Sequence, residues 1–274
     1  MHPRDAEAYG RNKDVPRSIA VVDGRRLAYI RLGEGRPAIV FLSGAGMDID
    51  SWFKVLPEVA TFGTVIAVDR PGVGRSDRPD IPQTGEVIVA ALRSLLAQAG
   101  VPPPYVLVGH SLGGLHVEFF ARSHPGEVGG VVLVEAASPD EAMDPPPPGF
   151  TARVIGAALG VLDRLRGRPR GLDEVDNVAE TVRQIGAAPP FPDVPLAVVT
   201  GGKRMRMVPD TAFAAHQEAQ RDRVTLVPNG RQVIAEGSGH FPQLHEPEVV
   251  IAAIRDIAER VRPGDRHRID TPAP

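Results

Sequence analysis

A serine in this sequence stands where the backbone has to turn sharply. The pentapeptide Gly109-His110-Ser111-Leu112-Gly113 fits the pattern G-x-S-x-G and lies between a short apolar run and the start of a helical pattern. A strand that turns directly into a helix strains the backbone at the serine, and small residues on either side prevent a clash. The following helix would point its amide groups at the Ser111 hydroxyl. This arrangement predicts a nucleophile for acyl transfer; the alternative is a serine that only caps the helix.

The elements that would position this serine alternate between strands and helices. Two alternating runs meet at Asp23-Gly24, a dipeptide typical of a tight hairpin. Continuous apolar runs then indicate strands buried on both faces, as in a parallel sheet. They are residues 38–42, 65–68, 105–108, 131–134 and 196–199, with helical patterns at 85–99, 112–123 and 247–261. We therefore expect an α/β fold that begins antiparallel, continues parallel and has helices on both faces of the sheet.

The alternation breaks between Ser138 and Pro195. A stiff proline run, Pro145 to Pro148, is followed by two helix candidates at residues 152–165 and 174–185. The first candidate has an apolar face that could line a pocket for an acyl or alkyl group. We expect an inserted helical cap here. The predicted division is a core domain of residues 1–137 and 191–264, a cap of residues 138–190 and a flexible tail of residues 265–274.

Composition restricts the partners and the chemistry. The 274 residues include 31 basic and 34 acidic ones, a net charge of −3, so no basic excess is present to bind nucleic acid. No stretch approaches the roughly 20 apolar residues that span a bilayer, and the first residues lack the apolar core of a secretory signal. We therefore expect a cytoplasmic protein without membrane contact. Because cysteine is absent, a thiolate nucleophile and a cysteine-ligated metal are excluded, and we expect neither metal nor cofactor.

The serine turn and the order of strands and helices around it resemble the α/β-hydrolase superfamily. The resemblance extends from about Ile19 to about Val261. Asp69 to Ser76 add the pattern D-x-P-G-x-G-x-S, which favours a structural loop beside the pocket. The resemblance implies a mostly parallel sheet of about eight strands with a helical cap inserted after the sixth. It also implies a capped serine hydrolase in which nucleophile, acid and histidine follow in that order along the chain.

The resemblance also implies which histidine is the base. A serine hydroxyl is a weak nucleophile at neutral pH and needs a neighbouring base, a task that suits histidine. Among the eight histidines, His240 follows a strand candidate at residues 232–235 and precedes the last helix, where the family places its histidine. We expect His240 to be the general base and His110, inside the turn, to contact the substrate.

The acid departs from the family's most common pattern. An aspartate usually follows the strand after the cap, but here residues 201–207 are basic and contain no carboxylate. Another location used in the family is the end of the preceding strand, where Glu135 stands. We expect Glu135 to accept the second ring N–H of His240. Asp210 and Asp140 are the alternatives, although Asp210 follows a proline and is equally typical of the start of a helix at residues 211–220.

The oxyanion hole is predicted from two backbone N–H groups. One belongs to Leu112, which follows the serine, and the resemblance assigns the other to Ala45, in the loop Ser43-Gly44-Ala45-Gly46. Gly44 would let the substrate approach the backbone closely, whereas the plainer interpretation of this loop is a turn.

The sequence therefore predicts a metal-free serine hydrolase that forms an acyl-enzyme on Ser111. Its substrate would be a small carboxylic ester, lactone or thioester, with an apolar acyl or alkyl part. The same triad also serves carbon–carbon bond hydrolysis and perhydrolysis, and a ligand-binding protein without turnover is a further alternative. Dehalogenases and epoxide hydrolases of this fold use aspartate at the turn, so the serine argues against both. The sequence carries no signal for an oligomeric state.

Overall fold

The computed structural model describes residues 15–143, 171–205 and 208–261, and within them the predicted apolar runs become strands of one sheet. Both faces of the central strands are covered, which explains why these runs are apolar throughout rather than alternating. The strands are β1 (Ser18–Val22), β2 (Arg25–Leu32), β3 (Ala38–Leu42), β4 (Thr64–Val68), β5 (Tyr105–His110), β6 (Val128–Val134), β7 (Leu196–Gly201) and β8 (Arg231–Ala235).

The sheet begins antiparallel and continues parallel, in the order β1-β2-β4-β3-β5-β6-β7-β8. β2 is antiparallel to both β1 and β4, and every later pair is parallel. Asp23 and Gly24 join β1 to β2 with φ of 49° and 77°, the left-handed backbone that a two-residue hairpin turn favours. Because the strands from β3 to β8 run in one direction, the loops after them converge at one edge of the sheet. The predicted α/β fold, a mostly parallel sheet of eight strands with helices on both faces, is confirmed.

The helices cover the sheet on both faces. α2 begins where the Thr84 hydroxyl accepts the N–H of Val87 at 3.4 Å, a typical amino-terminal cap. The helices are α1 (Leu56–Val59), α2 (Gly85–Gln98), α3 (Leu112–Ser123), α4 (Pro139–Met143), α5 (Val178–Ala187), α6 (Asp210–Val224), α7 (Pro242–His245) and α8 (Pro247–Val261). None of the helices in the described part of the chain is long and apolar enough to cross a bilayer.

Two apolar layers hold these helices to the sheet. Val40 and Leu42 pack with α2 and α3 on one face, whereas Ile39 and Phe41 pack with α1 and α8 on the other. Successive residues of a strand point to opposite faces, so β3 supplies both layers. Each large aliphatic side chain that is fully buried contributes about 1.5–3 kcal/mol. The result is a rigid sheet edge on which loops can be held.

The described part of the segment between β6 and β7 contains α4, which was not predicted, and a longer helix whose bounds differ from the prediction. The helix expected at residues 174–185 begins only at Val178, because Asp173 accepts the backbone N–H groups of Val175 and Asp176 and makes a turn there. Glu174 is thereby left outside the helix and buried. The boundaries of the cap stay a prediction. The proline run, the helix expected at residues 152–165 and the tail at residues 265–274 lie outside the described residues.

Candidate active site

Ser111 lies between β5 and α3 in a strained backbone conformation. Its φ of 51° and ψ of −122° are unfavourable for a residue with a side chain and cost on the order of 1–3 kcal/mol. A Cβ on Gly109 would lie 2.7 Å from the carbonyl oxygen of Gly113, and a Cβ on Gly113 would lie 2.4 Å from that of Leu42. The two glycines therefore let β3, β5 and α3 approach closely enough to hold this turn.

His240 and Glu135 lie beside the serine. His240 Nε2 is 3.1 Å from Ser111 Oγ, and His240 Nδ1 is 3.2 Å from Glu135 Oε2. When Nδ1–H donates to the carboxylate, the lone pair of Nε2 is available to accept the Ser111 hydroxyl proton. Glu135 also has a positive φ, 45°, and its Oε1 accepts the N–H of Gly201 at 2.7 Å. The ends of β5, β6 and β7 and the loop after β8 thus bring the three residues together.

The two alternative carboxylates lie elsewhere. Asp210 begins α6, is largely exposed and forms an ion pair with Arg204. Asp140 is exposed on α4. Among the described residues, the carboxylate in hydrogen-bonding contact with His240 is that of Glu135.

His110 packs against the loop that carries His240. It is fully buried, and its Nε2–H donates to the carbonyl oxygen of His240 at 2.8 Å. The two imidazole rings lie 5.0 Å apart. Burial lowers the pKa of His110 to about 3, with a smaller contribution from His240, so the ring is neutral. A side chain in this position fixes the His240 backbone and presents no surface to a ligand, in contrast to the contact expected from the sequence.

The loop after β3 packs directly on the serine turn. Gly44 is buried, and a Cβ there would lie 3.2 Å from the Cβ of Ser111 and 2.9 Å from His110 Nδ1. Ala45 follows and is half-buried. Leu112 is the first residue of α3, and the first N–H groups of a helix have no acceptor within it. The loop and the helix start therefore lie side by side at the serine.

A buried ion pair that the sequence analysis missed holds this loop. Arg70 donates to the carbonyl oxygens of Ser43 at 2.7 Å and Gly44 at 2.8 Å, and its Nη2 donates to Glu174 Oε1 at 2.8 Å. Glu174 in turn accepts the N–H of Gly46 at 3.1 Å. Burial raises the pKa of Glu174, but the charge and hydrogen bonds of Arg70 outweigh burial and lower it overall. The available signal was an arginine two residues after a buried strand, because an arginine that is itself buried needs a carboxylate partner.

A second histidine, also missed, contacts Glu135. His216 Nε2 lies 3.1 Å from Glu135 Oε2, and His216 Nδ1 lies 2.8 Å from Glu141 Oε1. Burial lowers the pKa of His216, but the two carboxylates raise it to about 10. For Glu135 the effects are reversed: burial raises the pKa of its carboxyl, but hydrogen bonds from His216 and His240 lower that pKa to about 2. In the sequence His216 is one residue of a polar helix, and nothing there indicates which face meets Glu135.

The described residues contain no group of three or more histidine, aspartate or glutamate side chains arranged to hold a metal ion.

The fold and this arrangement define a class of α/β protein in which a serine follows a central strand and a histidine follows the last strand. The chain belongs to the alpha/beta hydrolase family, whose sequence profile matches residues 39–253. Membership of this family supports a hydrolase activity.

Similar proteins include enzymes that act on esters and lactones. The chain is 28% identical over 254 residues to the pimeloyl-[acyl-carrier protein] methyl ester esterase of Edwardsiella ictaluri, which covers 83% of this chain and 95% of that protein. A thermophilic esterase from Thermogutta terrifontis superposes with a TM-score of 0.63 at 22% identity, over 90% of this chain and 100% of that one. The enol-lactonase from Burkholderia xenovorans LB400 superposes with a TM-score of 0.62 at 20% identity, over 88% and 99%. At these identities the structural likeness shows the fold.

Proposed function

We propose that the protein is a serine hydrolase that cleaves a small carboxylic ester, lactone or thioester through an acyl-enzyme on Ser111. The observation that carries this proposal is the continuous path from Ser111 Oγ to His240 Nε2 and from His240 Nδ1 to Glu135 Oε2, at 3.1 and 3.2 Å. These are the distances that nucleophile, base and orienting acid need.

In the first half of the reaction, Ser111 Oγ attacks the carbonyl carbon while His240 Nε2 takes its proton. Glu135 keeps the imidazole in the correct tautomer and stabilises the imidazolium. When the tetrahedral intermediate collapses, the bond to the leaving oxygen or sulfur breaks and His240 returns the proton to that atom. Water then attacks the acyl-enzyme with His240 again as base, and the products are a carboxylic acid and free Ser111.

The negative charge of the intermediate is assigned to two backbone donors, the N–H groups of Leu112 and Ala45. Leu112 lies at the positive end of α3, and Gly44 packs on the Cβ of Ser111, which supports placing both donors at the same oxygen.

The test is hydrolysis of p-nitrophenyl esters of increasing acyl chain length by the wild-type protein and by Ser111→Ala. We expect a measurable kcat/KM that falls by about 10³-fold or more in the variant, because the nucleophile is lost while binding remains. Circular dichroism of both proteins provides the folding control.

Labelling with a fluorophosphonate tests the same proposal without a substrate choice. The probe reacts with an activated serine, so mass spectrometry should find it on Ser111 of the folded protein and on none of the Ser111→Ala protein. A folded wild-type protein that neither reacts with the probe nor hydrolyses any ester of the series contradicts the proposal and favours ligand binding.

A further inference from the structure

Glu135 Oε2 accepts hydrogen bonds from two imidazole rings at once. His240 Nδ1 lies at 3.2 Å and His216 Nε2 at 3.1 Å, while Oε1 is occupied by the N–H of Gly201. Orienting the base through Glu135 requires one histidine only. The His216 ring is therefore a second hydrogen-bond donor to Glu135 that orienting the base does not require.

The geometry of His216 settles its charge. One ring nitrogen faces Glu135 and the other faces Glu141, at 3.1 and 2.8 Å. Ionised carboxylates only accept hydrogen bonds, so each nitrogen needs a proton to make its contact. A ring with protons on both nitrogens is an imidazolium, and His216 thus places a positive charge against the carboxylate that orients His240.

Among the described residues, the charged groups in hydrogen-bonding contact with the His216 ring are Glu135 and Glu141. His216 lies on α6, which also carries Asp210, Glu218, Arg221, Asp222 and Arg223. α6 packs on α4, β7 and β8. α4 supplies Glu141, the strands β7 and β8 supply no acid, and Arg231 of β8 pairs with Asp256 of α8. Glu135 reaches the ring from the end of β6, and His240 shares its oxygen from the loop after β8.

We propose that His216 is a positioning residue of the hydrolase: a permanently protonated imidazole that fixes the Glu135 carboxylate and offsets part of its charge as felt by His240. The proposal rests on the function proposed above. His240 has to be unprotonated at the start of the reaction, and a full negative charge beside it favours its protonated, inactive form. By offsetting that charge, His216 keeps the base available at lower pH. The pKa of His216, raised to about 10 by the two carboxylates, agrees with a charge that persists through the neutral range.

The first test is the pH profile of kcat/KM for a p-nitrophenyl ester, from about pH 5 to about pH 9, in His216→Gln. Glutamine can still donate to Glu135 but carries no charge. We expect the acidic limb to move to higher pH by about one pH unit, with a plateau reduced by no more than about 10-fold. Glu141→Gln removes a carboxylate while Glu135 still holds the proton on His216, so it should not move the limb to higher pH. His124→Gln, a histidine outside the site, should leave the limb where it is.

The second measurement does not depend on turnover. The Cε1–H signals of the histidines are followed by NMR against pH, with His216 assigned by its loss in His216→Gln. His216 should keep the imidazolium chemical shift to at least about pH 8, and should titrate at lower pH in Glu141→Gln.

The outcomes separate the two proposals. If His216 titrates near the ordinary histidine pKa of 6.5, this inference is wrong, whether or not the protein is a hydrolase. An unchanged acidic limb in a folded, active His216→Gln protein overturns it as well. If His216→Gln does not fold, His216→Asn provides both the assignment and the pH profile in its place. Absence of turnover and of fluorophosphonate labelling contradicts the hydrolase, and the positioning role falls with it.

Discussion

Two charged clusters flank Ser111, and they are built differently. The loop cluster, Arg70 with Glu174, is almost completely buried, with side chains 2% and 5% exposed. The acid cluster, Glu135, Glu141, His216 and His240, includes two imidazoles that are 25% and 23% exposed. An arginine keeps its charge at every accessible pH, whereas the proposed role of His240 is to take up a proton and return it in each reaction cycle. The loop cluster therefore fixes a backbone, and we propose that the acid cluster transfers a proton.

This contrast predicts that substitutions in the acid cluster lower the rate of hydrolysis more than substitutions in the loop cluster. Glu135→Gln should lower kcat/KM by about 10³-fold, because the amide no longer stabilises the imidazolium and can hold the wrong tautomer. The free energy of unfolding should change far less, since His216 can release its proton when one of its carboxylates is lost. Ester hydrolysis and urea unfolding on the same protein measure both quantities.

The exposed alternative acid provides the matched control. Asp210→Asn removes one carboxylate charge outside the cluster and should keep the wild-type rate. If Asp210→Asn is inactive while Glu135→Gln retains wild-type turnover, Glu135 is not the acid.

The loop cluster should show its largest effect in stability. Glu174→Gln leaves the Arg70 guanidinium buried without its counter-charge and should lower the free energy of unfolding by about 3–5 kcal/mol. Urea denaturation measures this loss. Glu180→Gln, which breaks the exposed pair with Arg183, should be nearly neutral. Equal effects of the two substitutions would remove the distinction between a buried clamp and an ordinary surface pair.

A smaller effect should appear in the pH dependence of stability near the loop cluster. Burial lowers the pKa of His116 to about 4, with a smaller contribution from Arg70, so folded protein binds fewer protons than unfolded protein below pH 6.5. Stability is therefore lost as pH falls from about 6.5 to about 4. His116→Leu should remove roughly 1–3 kcal/mol of that loss, measured by urea unfolding at several pH values. A difference between the two proteins that stays constant with pH would mean that His116 titrates normally.

The fold could be predicted because its signals are local. The apolar runs indicate β3 to β7, the Asp23-Gly24 turn joins β1 to β2, and α3 and α8 have the bounds that their patterns indicate. The strained turn at Ser111 could be predicted because the glycines that it requires, Gly109 and Gly113, lie within two residues of the serine. The catalytic roles of Ser111, His240 and Glu135 stay predictions, although the structure places the three in contact.

The charged partners could not be predicted because they join distant parts of the chain. Arg70 and Glu174 are 104 positions apart, and His216 and Glu135 are 81 apart. Each looks like an ordinary polar residue of a loop or helix until the sheet brings the two ends together. A charged residue next to a buried strand indicates that an oppositely charged partner must exist, but the sequence does not indicate where that partner lies.

The Arg70–Glu174 pair also limits how this protein could be re-engineered. Glu174 belongs to the segment between β6 and β7, so replacing that segment with one from a relative would also replace the partner of Arg70. A graft without an acid at this position would leave Arg70 without its counter-charge next to the carbonyl oxygens of Ser43 and Gly44, so the chimera would lose the backbone geometry of the loop that carries Ala45. Successful grafts should carry the glutamate with them or replace Arg70 at the same time.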